Sequence, residues 1–579
     1  MLEFVQLLKQ RYQTIETRLC ETDALYALYQ QRIEQLVFTE AFLKKGDLLE
    51  SYPETPLQIA IIGPTQAGKS SISNLILNSD LAGVSPLAGY TVHPQGFCCD
   101  TILQDSANLQ NYFGRFQQLN ISELNNHRYD SYALTENKKN SELLPACVFW
   151  DTPDFDSIDS TDYREGVIRT IALADIIVLV VSKEKYADQS VWEMMEMIES
   201  FHQPTLICVN KMIEGTEDLI FKSLKEKWQH VRNDSFPEVI PLYYHKQTAM
   251  PVWPVSERDQ FLNLQKKSQK NKHFDYQKEF LNKYWHSWLE PVVTEHVSIK
   301  EWHSLVDKSI EQALGEYQRD YLNHPHYYDT FQNALIKLLG LLEIPGISKI
   351  LTKTRRVLTW PVRKIMSMGK LDTVPVSLEV SLLNQIGEHL LISLSEQLLG
   401  KIDSDTKQHK WWKDNYCLLR KQKNDILNAQ QLAIDSYYSS FQLDVEETAN
   451  RLYNKLSEQP ILLNSLRATR VSTDAAAMAL VIYTGGIGVH DLVITPAMLS
   501  ITSLLTESAV GGYMGKVEAE LKKHQLDTVK QDIFIACLQQ TLYTLPEQVS
   551  DQSRFNISVE QLQKAELQRK EKKHGIRIL

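Results

Sequence analysis

Apolar residues recur at helical spacing through the first fifty positions: Leu2, Val5 and Leu8, then Leu25, Leu28, Ile33 and Leu36. That period predicts one or two amphipathic helices. The cluster Ser51-Tyr-Pro-Glu-Thr-Pro56 breaks the pattern and marks a boundary. From there the texture changes. Short continuous apolar runs appear at 57–62, 146–150, 176–181, 205–209 and 238–243, separated by helix-period stretches at 69–77, 163–174, 189–202 and 218–231. Apolar strands alternating with helices predict an α/β domain, a mostly parallel sheet with helices on both faces. Beyond about Pro254 the chain becomes charged, rich in Gln and Lys and Leu-periodic, which predicts a large all-α domain. The expected organisation is 1–55 as N-terminal helices packing on the helical region, 56–250 as the α/β domain and 251–470 as a helical domain. An apolar helical hairpin at 471–515 and C-terminal helices with a basic tail at 516–579 complete it.

The turn between the first predicted strand and its helix carries chemistry. Gly63-Pro64-Thr65-Gln66-Ala67-Gly68-Lys69-Ser70 matches G-x-x-x-x-G-K-S/T. Consecutive backbone N–H groups in such a loop wrap nucleotide phosphates, and glycine at 63 and 68 permits the tight turn and close approach. Lys69 brings a point charge to the β- and γ-phosphates, and the Ser70 hydroxyl ligates Mg²⁺. Ser71 lies in the first turn of the helix that follows, whose positive end faces the phosphates. Asp151 stands at the end of the apolar run 146–150, where an acidic residue would hold the same Mg²⁺, through a water.

With these motifs the chain resembles the Era-like and dynamin-like P-loop GTPases of the translation-factor-related class, over about a third of its length. The resemblance implies GTP and GDP as ligands, Mg²⁺ as cofactor and hydrolysis of GTP. The D-x-P-G motif of that class reads Asp151-Thr152-Pro153-Asp154 here, and its switch threonine, which closes on Mg²⁺ and the γ-phosphate, would be Thr91. Asp154 takes the place of the glycine whose N–H meets the γ-phosphate, so its carboxylate must be turned away or neutralised there. Phe155 follows, where related enzymes keep a water-orienting glutamine; Gln66, Asp156 and Ser157 are the candidates for that task. The resemblance therefore implies slow intrinsic hydrolysis, raised by pairing of two copies through the nucleotide domain or by a partner. The guanine motif N-K-x-D appears as Asn210-Lys211-Met212-Ile213 after the apolar run 205–209, with Asn210 toward the base edge and Lys211 along the ring and loop. Its aspartate is replaced by Ile213; Glu214 is one residue late. The segment 241–245 is an indistinct fifth motif.

Composition narrows the partners. A net charge of −11 and a pI near 5.9 exclude a chain whose overall charge serves nucleic acid, and no DNA is expected. Seven scattered cysteines, with no CxxC pair, fit a reducing cytoplasm; Cys147 and Cys208 lie inside strand-like runs as buried thiols. The opening MLEFVQLLKQRYQTIETRL is amphipathic, without a secretory apolar core. Two later segments suit a membrane surface as well as a protein core. Residues 344–365 mix six Lys and Arg with Trp360 and aliphatics. Residues 475–513 are apolar and rich in small residues, broken by Gly485-Gly486, His490-Asp491 and Glu507, either a close-packed hairpin or a membrane-engaging tip. His490 with Asp491 reads as a capping pair, and 569–574 as a solvated tail. The expected protein is a cytoplasmic GTPase whose nucleotide state is coupled to a helical effector region, peripheral on the inner face of a membrane. A nucleotide-dependent scaffold with little turnover and a ribosome-associated GTPase are the alternatives.

Overall fold

The computed structural model describes residues 1–20, 22–83, 91–103, 108–124, 128–139, 141–154, 160–243, 253–324, 328–342, 377–404, 408–461, 463–464 and 511–570. The chain divides into two compact units: Met1–Thr294 together with the chain from Ser550 onward, and Glu295–Val549.

The first unit is built on an eight-stranded sheet. Its strands are β1 (Leu57–Ile62), β2 (Gln95–Cys99), β3 (Gln117–Leu119), β4 (Ser131–Glu136), β5 (Cys147–Asp151), β6 (Ile176–Ser182), β7 (Thr205–Met212) and β8 (Val239–Tyr243). They lie in the order β3-β4-β2-β5-β1-β6-β7-β8, and every pair is parallel except β2 with β5. The five strands expected from continuous apolar runs are present, within three residues at each end. The run Ile176–Ser182 shows why it is apolar throughout: Ile177, Leu179 and Val181 join the core on one face, Ile176, Val178 and Val180 that on the other. The strands β2, β3 and β4, absent from the sequence expectation, extend the sheet beyond β5.

Helices cover both faces. On one side lie α1 (Leu2–Glu16), α2 (Ala24–Ser51), α4 (Leu109–Phe113), α5 (Ser160–Leu173), α6 (Gln189–Met197) and α7 (Glu217–Val231), and on the other α3 (Lys69–Leu77). The far face holds α3 and α8 (Gln260–Lys267), whose Phe261 and Leu264 pack with Ile240, Leu242 and Trp253. The helix α9 (His273–Tyr317) runs across the division, and its residues up to Thr294 belong to this unit.

The expected domain edges differ from these. Residues 1–55 pack on α5 of the α/β domain as well as on the first part of α9. The reason is the apolar stripe Phe280, Leu281, Trp285, Trp288, Leu289 and Val292, which shares one core with Phe4, Leu8, Tyr12, Leu36, Phe38 and Ile171. Tyr12 donates to the Trp288 carbonyl at 2.7 Å and its ring meets Phe555 edge-on. Charges lock the same layer. Lys45, in α2, pairs with Asp175 at 2.9 Å, and Asp175 also accepts from the Gln58 N–H at 2.9 Å. Burial alone would raise the Asp175 pKa, yet Lys45, then Lys270, outweigh it and hold the carboxyl below its usual range. Glu40, equally buried, gathers Lys9, Lys44 and Arg169. The residues 251–294 and the helix Val559–Lys570 thus belong with the α/β domain. Arg569, expected in a solvated tail, instead donates to Asn282 and Glu566 and lies 5.5 Å over the Trp285 ring.

The second unit is helical, as expected. It comprises the remainder of α9, then α10 (Asp329–Leu341), α11 (Leu378–Ser404), α12 (His409–Ser457) and α13 (Gly511–Val529), continued as a π-helix over Lys530–Gln539. Inside it sits a carboxylate: Glu379 Oε1 accepts from Tyr317 and Tyr437 hydroxyls at 2.7 Å and from Gln525 Nε2 at 2.8 Å. Among the described residues no helix is long and apolar enough to cross a membrane. The basic segment 344–365 lies outside the described residues, as does 475–510; residues 511–513 begin α13.

Candidate functional site

The loop 63–70 leaves β1 at the carboxyl edge of the sheet. Register places Ile61 beside Asp151 of β5, and Ser182 of β6 beside Asn210 of β7, so the sequence-predicted residues converge on one edge. Backbone room decides the loop's composition. A Cβ at Gly63 would fall 2.1 Å from the Val180 carbonyl oxygen, a backbone atom that cannot swing aside. Gly68 has φ +91°, and a Cβ there would meet the Asn210 amide at 2.3 Å. Gly68 caps α3, and the N–H groups of Lys69, Ser70 and Ser71 fall in the first turn, where the helix offers no acceptor. Such a cradle of donors fits an anion of phosphate size.

Lys69 is buried and donates to the carbonyls of Gly63 at 2.9 Å and Pro64 at 3.3 Å, and to the Asp154 carboxylate. Asp151, at the end of β5, is fully buried. Its Oδ2 accepts from the Ser70 hydroxyl at 2.8 Å and its Oδ1 from the Ser73 hydroxyl at 3.0 Å. Burial pushes the Asp151 carboxyl up to about 6, against the Ser70 hydrogen bond and the Lys69 charge. A buried carboxylate next to a serine hydroxyl, both oxygen donors, is a set that suits Mg²⁺. Ser73 is the residue that motif reading missed; three positions after Ser70, it shares that helix face. Thr152 anchors the turn after β5 by donating to the Ile61 carbonyl at 2.6 Å.

The base-side pair is also brought to the loop. Asn210 Nδ2 donates to the Ala67 carbonyl at 2.9 Å, and Lys211 Nζ to that of Gln66 at 3.0 Å. Gln66, at φ +60°, is therefore tied to this end of the loop through its backbone. Thr65 is buried within the loop. Ile213 is 56% exposed and Glu214 is exposed as well. Thr91 is half-buried, four residues ahead of β2, and no described contact joins it to Ser70 or Asp151. Phe155, Asp156 and Ser157 lie outside the described residues.

Residues 58–211 match the family model described as 50S ribosome-binding GTPase. This is a P-loop GTPase domain. The match spans β1 to Lys211 and so takes in the phosphate loop, Asp151 and the Asn210-Lys211 pair. None of the curated proteins matches the sequence. Among solved structures the GTPase domain and its helical extension are similar to a chain described in an oligomerised bacterial dynamin pair for long-range sensing and tethering of membranes. That chain is 12% identical, with 95% of this chain and 97% of the other covered and a TM-score of 0.34. A second chain under the same description is 13% identical over 95% of each, with a TM-score of 0.27. At those scores the two likenesses carry nothing about what this protein binds.

Proposed function

We propose that this protein binds GTP with Mg²⁺ and hydrolyses it to GDP and phosphate, its nucleotide state being read out by the helical layers packed on the GTPase domain. The observation that supports the reading is the meeting at one sheet edge of Lys69, the Ser70–Asp151 pair and Asn210-Lys211. Lys69 and the N–H groups of the loop would neutralise charge on the transferred phosphoryl group. Ser70, Asp151 and Thr91 are the proposed Mg²⁺ side. The metal would supply further charge neutralisation between the phosphates. Asn210 and Lys211 would hold the base, with guanine discrimination weakened by Ile213. Coupling runs through α5, which follows Asp154 in the chain and carries Arg169 to Glu40 of α2 at 3.3 Å.

The test is a titration of the purified protein with GTP, GDP and ATP, followed by phosphate release per bound GTP. Lys69→Ala should abolish nucleotide binding; tight GTP binding retained in that variant would sink the assignment. A scaffold with negligible turnover is the second reading, favoured by Asp154 standing at a glycine position against Lys69. Steady phosphate release rejects it. Peripheral membrane contact in the cytoplasm is proposed from the sequence of 344–365 and 475–513 alone, and pairing of two copies through the GTPase domain from Asp154 and Phe155 standing where the resembling GTPases keep glycine and glutamine. Liposome flotation with and without GTP examines the first, and sedimentation in each nucleotide state the second.

A further inference from the structure

We infer that Asp154 is an internal occupant of the phosphate-binding lysine, and that it makes the loop discriminate against a triphosphate in favour of a diphosphate. The inference rests on the nucleotide reading above and concerns one residue that departs from the D-x-P-G pattern. Lys69 has three N–H donors and no more. In this structure they meet the carbonyls of Gly63 and Pro64 and the carboxylate of Asp154. The two carbonyls belong to the loop itself and shape it. Asp154 is the anionic partner, and it arrives from the turn after β5, on the side where the Mg²⁺-side carboxylate Asp151 also stands.

Both side chains are shielded, Lys69 at 5% and Asp154 at 14% exposure, so the pair interacts across little water. A phosphate that engages Lys69 must displace the Asp154 carboxylate or share the lysine with it. The lysine of such a loop reaches the β- and γ-phosphates. A γ-phosphate brings its charge to the end of the nucleotide nearest the turn that carries residue 154, where glycine would offer an N–H and no charge. A diphosphate lacks that group and leaves the carboxylate more of its place. Asp154 thus opposes the triphosphate by repulsion and by competition for the same cation, and the diphosphate mainly by competition. Asp151 does not share this role, since its two oxygens are engaged by Ser70 and Ser73 on α3.

The experiment measures the affinities of fluorescent GDP and of a fluorescent non-hydrolysable GTP analogue, both with Mg²⁺, for the full chain as wild type, Asp154→Asn and Asp154→Gly. Asparagine keeps the size and an acceptor but removes the charge; glycine removes the side chain altogether. The ratio of triphosphate to diphosphate affinity should rise about tenfold in both variants, the equivalent of one shielded ion pair lost by the competitor. Thermal melting of each variant confirms that it is folded, and the two substitutions guard against a defect peculiar to one. An unchanged ratio, or equal tightening of both nucleotides, overturns the inference while leaving the nucleotide reading intact. Absence of saturable binding by either guanine nucleotide in all three proteins overturns the nucleotide reading and the inference with it.

Discussion

Replacing Lys45 by methionine removes one charge from the layer between α2 and the sheet while keeping most of the side-chain volume. Lys45 is 5% exposed and Asp175 3%, so the substitution leaves a carboxylate buried beside an apolar neighbour. Breaking a buried pair in this way costs about 3–5 kcal/mol. Two remaining partners moderate the loss: Lys270 at 3.4 Å, itself one-third exposed, and the Gln58 N–H at 2.9 Å. The expected destabilisation of the first unit is therefore about 2–3 kcal/mol. At about 2.1 cal/mol/K per residue for a unit of about 300 residues, that lowers its melting temperature by about 3–5 °C. The pH dependence adds a signature. In the wild type the Asp175 pKa is lowered, so its contribution is present above the unfolded value near 3.9 and is lost as pH falls through the folded one. Without Lys45, burial dominates and raises the folded pKa, so the charged form costs stability as pH rises. The gap between wild type and Lys45→Met should thus be widest near pH 7 and narrow toward pH 4. Differential scanning calorimetry of the full chain across that range reads both effects. A melting shift under 1 °C at pH 7, or a gap that widens on acidification, would refute the reasoning. Adding Asp175→Asn to Lys45→Met should restore at least half of the lost stability.

Gly63→Ala should lose nucleotide binding, because the new Cβ meets a backbone carbonyl of a central strand at 2.1 Å rather than a mobile side chain. Unchanged GTP affinity in a fluorescence titration would show that the loop tolerates the shift. In the second unit, Glu379→Gln keeps an acceptor for its tyrosine donors, whereas Glu379→Ala leaves buried donors unpaired at about 1–3 kcal/mol each. The glutamine variant should therefore be the more stable by at least about 2 kcal/mol in urea unfolding, and equal losses would contradict the network. Burial raises the Glu379 pKa against its tyrosine and glutamine hydrogen bonds, so its contribution is greatest at acid pH and declines as pH rises through the folded value. The glutamine variant should lack that decline.

The sequence made the phosphate loop legible because its chemistry is local: eight consecutive residues, a strand before and a helix after. Asp151 and Asn210-Lys211 were legible for the same reason, each ending an apolar strand. The strands β2 and β4 were not, because Gln95-Gly-Phe-Cys-Cys is short with polar and glycine positions, and Ser131–Glu136 ends in polar residues. The pairs Lys45–Asp175 and Glu40–Arg169 were invisible, since residues more than a hundred positions apart leave no mark on one another's surroundings. Asp154 lay between these cases. Its conflict with a γ-phosphate could be read from the motif, but its partner Lys69, 85 positions earlier, could only be seen in space.

The first unit draws its core from both ends of the described chain, and this bears on how the protein is made. Phe555 and Ile557 share a core with Tyr12 and Trp285, and Glu566 accepts the Trp285 indole N–H at 2.7 Å. Between Thr294 and Ser550 the ribosome must add roughly 250 residues, which takes on the order of ten seconds to a minute at cellular rates. For that interval the nascent GTPase domain has its loop and sheet but lacks the last helix over α1 and α9. The helical layer packed on the sheet is therefore completed only late in synthesis, after the whole second unit has emerged.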